Sequence, residues 1–357
     1  MKIFHTADLH LGSKMLVFSE AEAKERREEL LLTFSAIISR ALSEKAEAVI
    51  IAGDLFDGAY PSITLREEVR SLFLSAAELK FILISGNHDE GIPHSFINSL
   101  PGNVKVFGRW PDKTELSEGV TVYGAENMEE IQYELGAFEK SRINIVAAHG
   151  VPVSGGRRGG IDLDRFAALN VDYLALGHYH SYSSGKLGRG VWCMSGTPEG
   201  RGFDETGEKG YVEIEVEGGV LTHRFVPFCK RRLYDLEVDV SGAERGDVYL
   251  KIKTLLCESK TSRDIVRITL RGVTGETDTD YSFFEKRGEQ EGLAHRLIIR
   301  NAALFRPEAS EISLLAEFRK QVAALSLTEE ERSEILRMGV RALKGEKTEV
   351  TAGMQNE

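Results

Sequence analysis

The first half of the chain alternates short, continuous apolar runs with longer stretches of helical periodicity. Residues 2–7, 48–53, 81–86, 143–148 and 172–177 are apolar runs closed by turn residues, the pattern of strands buried in a sheet. Between the first two, residues 20–45 repeat Leu30, Leu31, Phe34, Ile37, Ile38 and Leu42 at helical spacing, which predicts an amphipathic helix. Residues 62–80 predict a second one, with Leu65, Val69, Leu72, Phe73 and Ala76 on one face. Further strand signals at 104–107, 120–124, 191–195, 211–216 and 220–226 come mostly without helices between them. The mixture predicts a layered α/β core of two packed sheets with helices outside, rather than a simple doubly wound sheet.

The pattern changes near residues 228–232. Leu236, Val238 and Val240 alternate with acidic residues as in a half-exposed strand. A helical run over 248–259 follows, and then a second alternating strand with Val266, Ile268 and Leu270. These features predict a core domain over 1–228, a smaller α+β domain over 233–305, and a tail of two helices over 311–345. Thr328 and Glu331 form a Thr-x-x-Glu capping box at the start of the second tail helix. There is no internal repeat, and residues 345–357 read as a frayed end.

Composition narrows the class. Of 357 residues, 42% are hydrophobic and 28% charged, which is ordinary for a globular protein and excludes disorder as the default. The opening MKIFHTADLH reads as a strand rather than a secretory leader, and the longest apolar runs are too short to span a bilayer, so no membrane association is expected. Cys193, Cys229 and Cys257 are scattered and unpaired by spacing, which argues against a disulfide framework or zinc knuckle and fits a reducing, cytoplasmic setting. The net charge of −11 counts against tight autonomous binding of nucleic acid. Local basic clusters nevertheless occur at Arg157-Arg158 and Lys230-Arg231-Arg232. The first, flanked by glycines, is either a mobile loop that grips a phosphate backbone or a solvated loop.

The chemistry sits where the strands end. Asp8 and His10 follow the first strand, Asp54 the second, Asn87 and His88 the third, His149 the fourth, and His178 and His180 the fifth. Ligands gather at the carboxyl ends of strands in open α/β sheets, so five exits deliver two Asp, one Asn and five His toward one rim. A lone His in such a place is usually a turn or capping residue; their conjunction points to metal. Imidazole suits zinc, iron and manganese, and the carboxylate and amide oxygens shift the preference toward manganese. Asp54 is the best candidate to bridge two ions, which at about 4 Å apart hold a hydroxide and stabilise both attacking and leaving oxygens of a phosphoryl centre. No GxSxG elbow, catalytic Cys context or GxxxxGK[ST] loop supports acyl transfer or ATP hydrolysis. His5, His94, His223 and His295 lie outside these positions; His5 reads as a packed strand residue and His295 as part of a helical run.

Asp8-Leu9-His10, Gly53-Asp54-Leu55-Phe56-Asp57, Gly86-Asn87-His88-Asp89, His149-Gly150 and Gly177-His178-Tyr179-His180 resemble the five signature motifs of calcineurin-like metallophosphoesterases, in order and spacing, across residues 1–180. Within that superfamily, Asp8-Leu9-His10-Leu11-Gly12, Ser195-Gly196-Thr197-Pro198 and Phe203-Asp204-Glu205 resemble SbcD-type DNA repair exonucleases. The resemblance implies a four-layer αββα sandwich with a cap domain and C-terminal helices. It implies one divalent ion held by Asp8, His10 and His180, a second held by Asn87, His149 and His178, and Asp54 shared between them. His88 would act on the phosphodiester and its leaving oxygen, oriented by Asp57, although Asp57 also reads as a turn residue before Gly58. Further implications are DNA as substrate, a homodimer through residues 21–42 and 63–79, and an SbcC-type ABC ATPase partner. The tail, with Leu314, Leu315, Phe318, Val322, Leu325, Ile335 and Leu336, would dock on that ATPase, or pack on its own domain. Two other readings stand beside the nuclease. One is a phosphodiesterase or phosphatase of the same fold acting on a small molecule or phosphoprotein, which Gly58 after Asp57 and the long C-terminal region disfavour. The other is a non-catalytic scaffold, which the intact ligand set disfavours.

Overall fold

A computed structural model of the chain describes residues 1–89, 92–155, 157, 159–259, 261–275, 280–306 and 314–343, the side chains of 315 and 316 excepted. It divides into two compact units, Met1–Arg232 and Leu233–Glu357. The first unit holds two six-stranded sheets. One is built from β1 (Lys2–Thr6), β2 (Ala48–Ala52), β3 (Lys80–Ile84), β4 (Val104–Val106), β13 (Gly210–Glu217) and β14 (Val220–Pro227), in the order β14-β13-β1-β2-β3-β4. The other is built from β5 (Asp112–Glu115), β6 (Val120–Gly124), β7 (Ile143–His149), β10 (Tyr173–Gly177), β11 (Ser183–Leu187) and β12 (Gly190–Met194), in the order β11-β12-β10-β7-β6-β5. A short parallel pair, β8 (Pro152–Val153) with β9 (Ile161–Asp162), stands apart from both.

The central strands β1 to β4 and β6, β7, β10 and β12 run parallel. Of these, β1, β2, β3, β7 and β10 are buried on both faces, so their sequences are largely continuous apolar runs rather than alternating ones. Ile3, Ile50 and Ile82 of one sheet meet Val122, Ile145 and Tyr173 of the other in the layer between the sheets. On the outer face of the first sheet, Phe4, Val49 and Phe81 pack against Leu30, Phe34 and Ile37 of α1 (Glu20–Ser43) and Val69 and Phe73 of α2 (Ile63–Ser75). A short helix, α3 (His94–Ser99), adds Phe96 to the same layer. On the outer face of the second sheet, Val146, Leu174 and Leu176 meet α4 (Met128–Ile131) and Phe166 of α5 (Leu163–Ala167). The layers are therefore α, β, β, α, as the resemblance implies.

Helix α1 begins as its sequence prescribes, with Glu22 reaching back 2.9 Å to the Ser19 backbone N–H. Helix α2 ends at Ser75, short of the expected residue 80. Its last turn is capped from a distance, where Asn103 Nδ2 donates to the carbonyls of Phe73, Ala76 and Leu79 at 3.0 to 3.1 Å. A cap drawn from 24 to 30 residues downstream leaves no local signal.

The second unit carries a parallel three-stranded sheet in the order β15-β16-β18: β15 (Leu233–Asp239), β16 (Ile265–Arg271) and β18 (Arg296–Asn301). The chain passes between neighbouring strands through α6 (Arg245–Ser259) and α7 (Ser282–Gln290). Tyr249, Ile252 and Leu256 of α6 and Phe284 of α7 bury one face over Val266, Ile268, Leu270 and Leu297. On alternate positions, Arg267 pairs with Asp235 and Arg271 with Glu237. A short pair, β17 (Val273–Thr274) with β19 (Leu304–Phe305), leads to α8 (Leu314–Ala323) and α9 (Glu329–Leu343). Phe305, Val322, Leu336 and Val340 form their joint core, and the Thr328–Glu331 capping box is present in both directions, at 2.8 and 3.1 Å. His295 does not lie in a helix. The chain turns at Gly292 (φ 69°) after α7, and the His295 backbone N–H donates to Asp264 beside β16. Arg158 and residues 345–357 lie outside the described residues.

Phe34 is fully buried and packs edge-on against Phe73. Replacing it with Ala should destabilise the first unit by about 3–5 kcal/mol, read as a lowered urea midpoint; a change below about 1 kcal/mol would contradict this packing.

Candidate metal centre

The carboxyl ends of β1, β2 and β3 in one sheet meet those of β7 and β10 in the other. The first two exits are laced together by backbone: Asp8 N–H donates to Gly53 O at 3.0 Å, His10 N–H to Asp54 O at 2.9 Å, and Asp57 N–H to Leu11 O at 3.1 Å. Asp8, His10, Asp54 and His178 hold positive φ values of 53°, 43°, 52° and 114°. Non-glycine residues rarely adopt that region, and strain of this kind concentrates at functional sites. The motif glycines answer a matter of space. A Cβ on Gly53 would lie 2.2 Å from His149 Nδ1, and one on Gly86 would lie 2.2 Å from Asp54 Oδ1.

The side chains converge in two overlapping groups. Asp8, His10 and His180 bring one potential ligand atom each within 4.8 Å of one another, and Asp8, Asp54 and His149 do the same. His10 Nε2 and His180 Nε2 are 3.2 Å apart. Asn87 Oδ1 lies 3.0 Å from His149 Nε2 and 3.2 Å from His178 Nδ1. Asp54 Oδ2 stands between the groups, 3.7 Å from His10 Nε2 and 3.4 Å from His149 Nε2. Its other oxygen accepts from the His88 backbone N–H at 2.9 Å, while Asp8 accepts from the His178 backbone N–H at 3.0 and 3.1 Å.

Three imidazoles turn their outer nitrogen toward oxygen, and two of them are hydrogen-bonded there. Nδ1 of His149 donates to Ala52 O at 2.8 Å, Nδ1 of His180 to Glu205 Oε1 at 2.7 Å, and Nδ1 of His10 stands 3.0 Å from Asp57 Oδ1. For His149 and His180 such partners select the tautomer that leaves Nε2 unprotonated and facing inward, as a metal ligand requires. Burial pushes the Asp8 carboxyl up to about 7, against the pull of His149 and His180. Burial also opposes ionisation of Asp54, but the His149 imidazole and the His88 backbone N–H outweigh it and hold Asp54 down to about 2. His149 is correspondingly raised, its contacts with Asp54 and Asp8 outweighing desolvation. Two buried carboxylates ringed by nitrogen and amide oxygen fit divalent cations.

Several placements differ from the sequence reading or go beyond it. Asp57 Oδ1 is 3.8 Å from His88 Nδ1, too far for a hydrogen bond, and its near partners are His10 and Arg201 (2.9 Å to Nη1). The cluster at 230–232 is not a free basic patch: Arg231 and Lys230 pair with Glu29, and Arg232 with Glu208. His94 is exposed at the start of α3, and His223 packs edge-on against Tyr173. His5 is fully buried, 2.9 Å from Tyr173 Oη.

Asp89, Glu199, Arg201 and Glu205 escaped the sequence reading as site residues. Asp89 clamps two loops by accepting from Leu55 and Phe56 N–H at 2.9 Å and from Gly86 N–H at 3.3 Å. Glu199, buried, accepts from Arg26 and Thr33 of α1 and from the backbone of Lys230 and Arg231. It thereby anchors the loop that carries Arg201 and Glu205. Asp89 and Glu205 stand inside Gly86-Asn87-His88-Asp89 and Phe203-Asp204-Glu205, the one signal that pointed to them.

Stacked sheets with carboxylate, amide and imidazole groups gathered at their joint carboxyl edge are the frame of a metal-dependent phosphoesterase. The chain belongs to the calcineurin-like phosphoesterase family, whose model matches residues 1–182, and whose members bind divalent metals. It is similar to the DNA double-strand break repair protein Mre11 of Methanosarcina acetivorans, with 24% identity over 306 residues, covering 80% of this chain and 47% of that protein. It is also similar to a subunit of the SbcCD nuclease of Staphylococcus epidermidis, with 28% identity over 322 residues, covering 78% of this chain and 81% of that one. The chain thus spans about half the length of the Methanosarcina relative. Among solved structures, TT1561 of Thermus thermophilus aligns with a TM-score of 0.40 and 14% identity, covering 63% of this chain and 98% of that one.

Gly86→Ala should displace Asp54 and lower divalent-metal affinity about 10–100-fold, measured by equilibrium dialysis; unchanged affinity would show that the site yields freely. The pH dependence has a definite sign. Asp8 moves from an ordinary 3.8 to about 7, so in the metal-free protein its contribution to stability is full below the ordinary value and lost as pH rises through about 7. A cation needs the ionised form, so metal affinity should rise with pH across this window. Calorimetric titration with Mn2+ in buffers of different ionisation heats should show proton release at about pH 6.5 that fades by about pH 8.5; release independent of pH would contradict the assignment.

Proposed function

We propose that the chain is a two-metal nuclease that hydrolyses phosphodiester bonds in DNA, the nuclease subunit of an SbcCD-like complex. The observation that carries this reading is the convergence of Asp8, His10, Asp54, Asn87, His149, His178 and His180, with Asp54 Oδ2 between the two groups. In this reading Asp8, His10, His180 and Asp54 hold one cation, and Asn87, His149, His178 and Asp54 hold the other. Manganese is the ion that best suits the donor mix. When bound, the pair supplies a nucleophile at neutral pH and polarises the phosphoryl oxygens.

The remaining chemistry belongs to the chain. His88 has its backbone fixed on Asp54 while its side chain is 43% exposed, so the ring faces incoming substrate at the rim. Water bonds to phosphorus through its oxygen and gives up one proton to solvent as the ester bond to the leaving oxygen breaks. His88 donates the proton that the leaving oxygen needs and regains one from solvent. Its ring also packs edge-on against His10, centroids 4.8 Å apart, which limits its orientations. Asp57 Oδ1 lies 3.8 Å from His88 Nδ1, beyond direct hydrogen-bond reach.

DNA as substrate is supported by the relatives' names, double-strand break repair protein and SbcCD nuclease. On the same reading the 233–305 region is the cap, the tail within 311–345 engages an ABC ATPase, and the protein works in the cytoplasm. Leu314 at the start of α8 and Leu325 in the connection between α8 and α9 are exposed, whereas Val322 and Leu336 serve the unit's own core. A homodimer through α1 and α2 is supported by exposed Leu32, Tyr60 and Ile63 beside a groove of about 680 Å³. The net charge of −11 implies that DNA binding by the chain alone is weak and salt-sensitive.

The test is manganese-dependent cleavage of labelled linear duplex and single-stranded DNA, with bis-p-nitrophenyl phosphate as a generic diester. His88→Ala should lower DNA cleavage by at least about 10²-fold with metal content unchanged. Turnover of the generic diester without any cut in DNA would overturn the nuclease reading in favour of a small-molecule diesterase.

A further inference from the structure

The two groups of candidate ligands are oriented by different means. On the Asn87 side, His149 is held by a backbone carbonyl, Ala52 O. On the other side both imidazoles face carboxylates, His180 hydrogen-bonded to Glu205 and His10 Nδ1 lying 3.0 Å from Asp57 Oδ1, and one guanidinium ties those carboxylates together. Arg201 donates from Nη1 to Asp57 Oδ1 at 2.9 Å, and from Nη2 and Nε to Glu205 Oε1 at 2.7 and 3.0 Å. Its own backbone N–H donates to Glu205 Oε2 at 2.8 Å. Nη2 also comes within 3.2 Å of His180 Nδ1, but Glu205 is nearer and takes that proton. Lys209, itself buried, donates to the His180 carbonyl at 2.7 Å.

We propose that Arg201 is a positioning residue for one cation only, the one held by Asp8, His10 and His180. The assignment rests on the two-metal reading above. Without the guanidinium, Asp57 and Glu205 face each other across the Nδ1 atoms of His10 and His180 with no shared cation. The two acids then lose the donor that fixes them in place, and His10 and His180 lose the fixed oxygen partners that aim Nε2 inward. The Asn87 side has no such dependence, because a peptide carbonyl orients its histidine and carries no net charge. Arg201 therefore makes the two sites unequal, so that one is lost before the other.

Metal-free full-length chains of the wild type, Arg201→Met, Arg201→Lys and Glu205→Gln would be dialysed against Mn2+, with bound metal counted by atomic emission. Low-temperature electron paramagnetic resonance would separate exchange-coupled from isolated Mn2+. The wild type should bind two ions with a coupled spectrum. Arg201→Met and Glu205→Gln should keep one ion at wild-type affinity, bind the other about 10-fold or more weakly, and show an isolated-ion spectrum at concentrations that saturate the wild type. Arg201→Lys, which keeps the charge and loses the fork, should fall between them. Two ions and a coupled spectrum in both variants would overturn the proposal, as would equal weakening of both ions. Fewer than two ions in the wild type would overturn the two-metal reading and this assignment with it. Glu205→Gln is nearly isosteric, so it decides the matter if Arg201→Met fails to fold.

Discussion

Two carboxylates, Asp8 and Asp54, are buried at the seam where the two sheets of the first unit end. Carboxylates so placed repel each other and lose their hydration, which only positive charge and donated hydrogen bonds can offset. Much of the neighbouring structure answers that demand. Imidazoles approach from both sheets, backbone N–H groups of His88 and His178 point at the oxygens, and four side-chain-bearing residues accept left-handed backbone to stay there.

The sheets make such an arrangement rigid. Because the central strands are buried on both faces, the loops at their carboxyl ends spring from fixed positions and need little ordering of their own. Cross-links then fix the loops to each other, with Asp89 joining the second and third exits and Glu199 joining the loop after β12 to α1. A site assembled this way is organised before any cation or substrate arrives, which lowers the reorganisation that catalysis would otherwise require.

The second unit follows another logic. Its parallel sheet is covered by helices on one face, and on alternate positions it carries acid–arginine pairs. Those pairs are largely solvent-exposed and neutralise one another, so they contribute little to stability.

The architecture of the first unit was legible in the sequence because burial on both faces turns each central strand into a continuous apolar run. The helices α1 and α2 announced themselves by spacing. The ligand positions were legible as well, since they cluster at or just beyond the strand ends and strand direction alone decides which rim they share. What the chain could not disclose locally was how those groups are held. Asn103 caps a helix far upstream, Arg201 reaches Asp57 across 144 residues, and Glu199 meets Arg26 across 173. A turn near Gly292 placed His295 outside any helix despite its surroundings. Short polar strands such as β5 and β11 owe their conformation to pairing with a neighbour rather than to their own apolar pattern. Sequence determines the contacts that recur within a few residues, because backbone propensity and periodicity act at that range. Partners brought together by folding have no fixed spacing along the chain, so tertiary structure alone decided which acid orients which histidine.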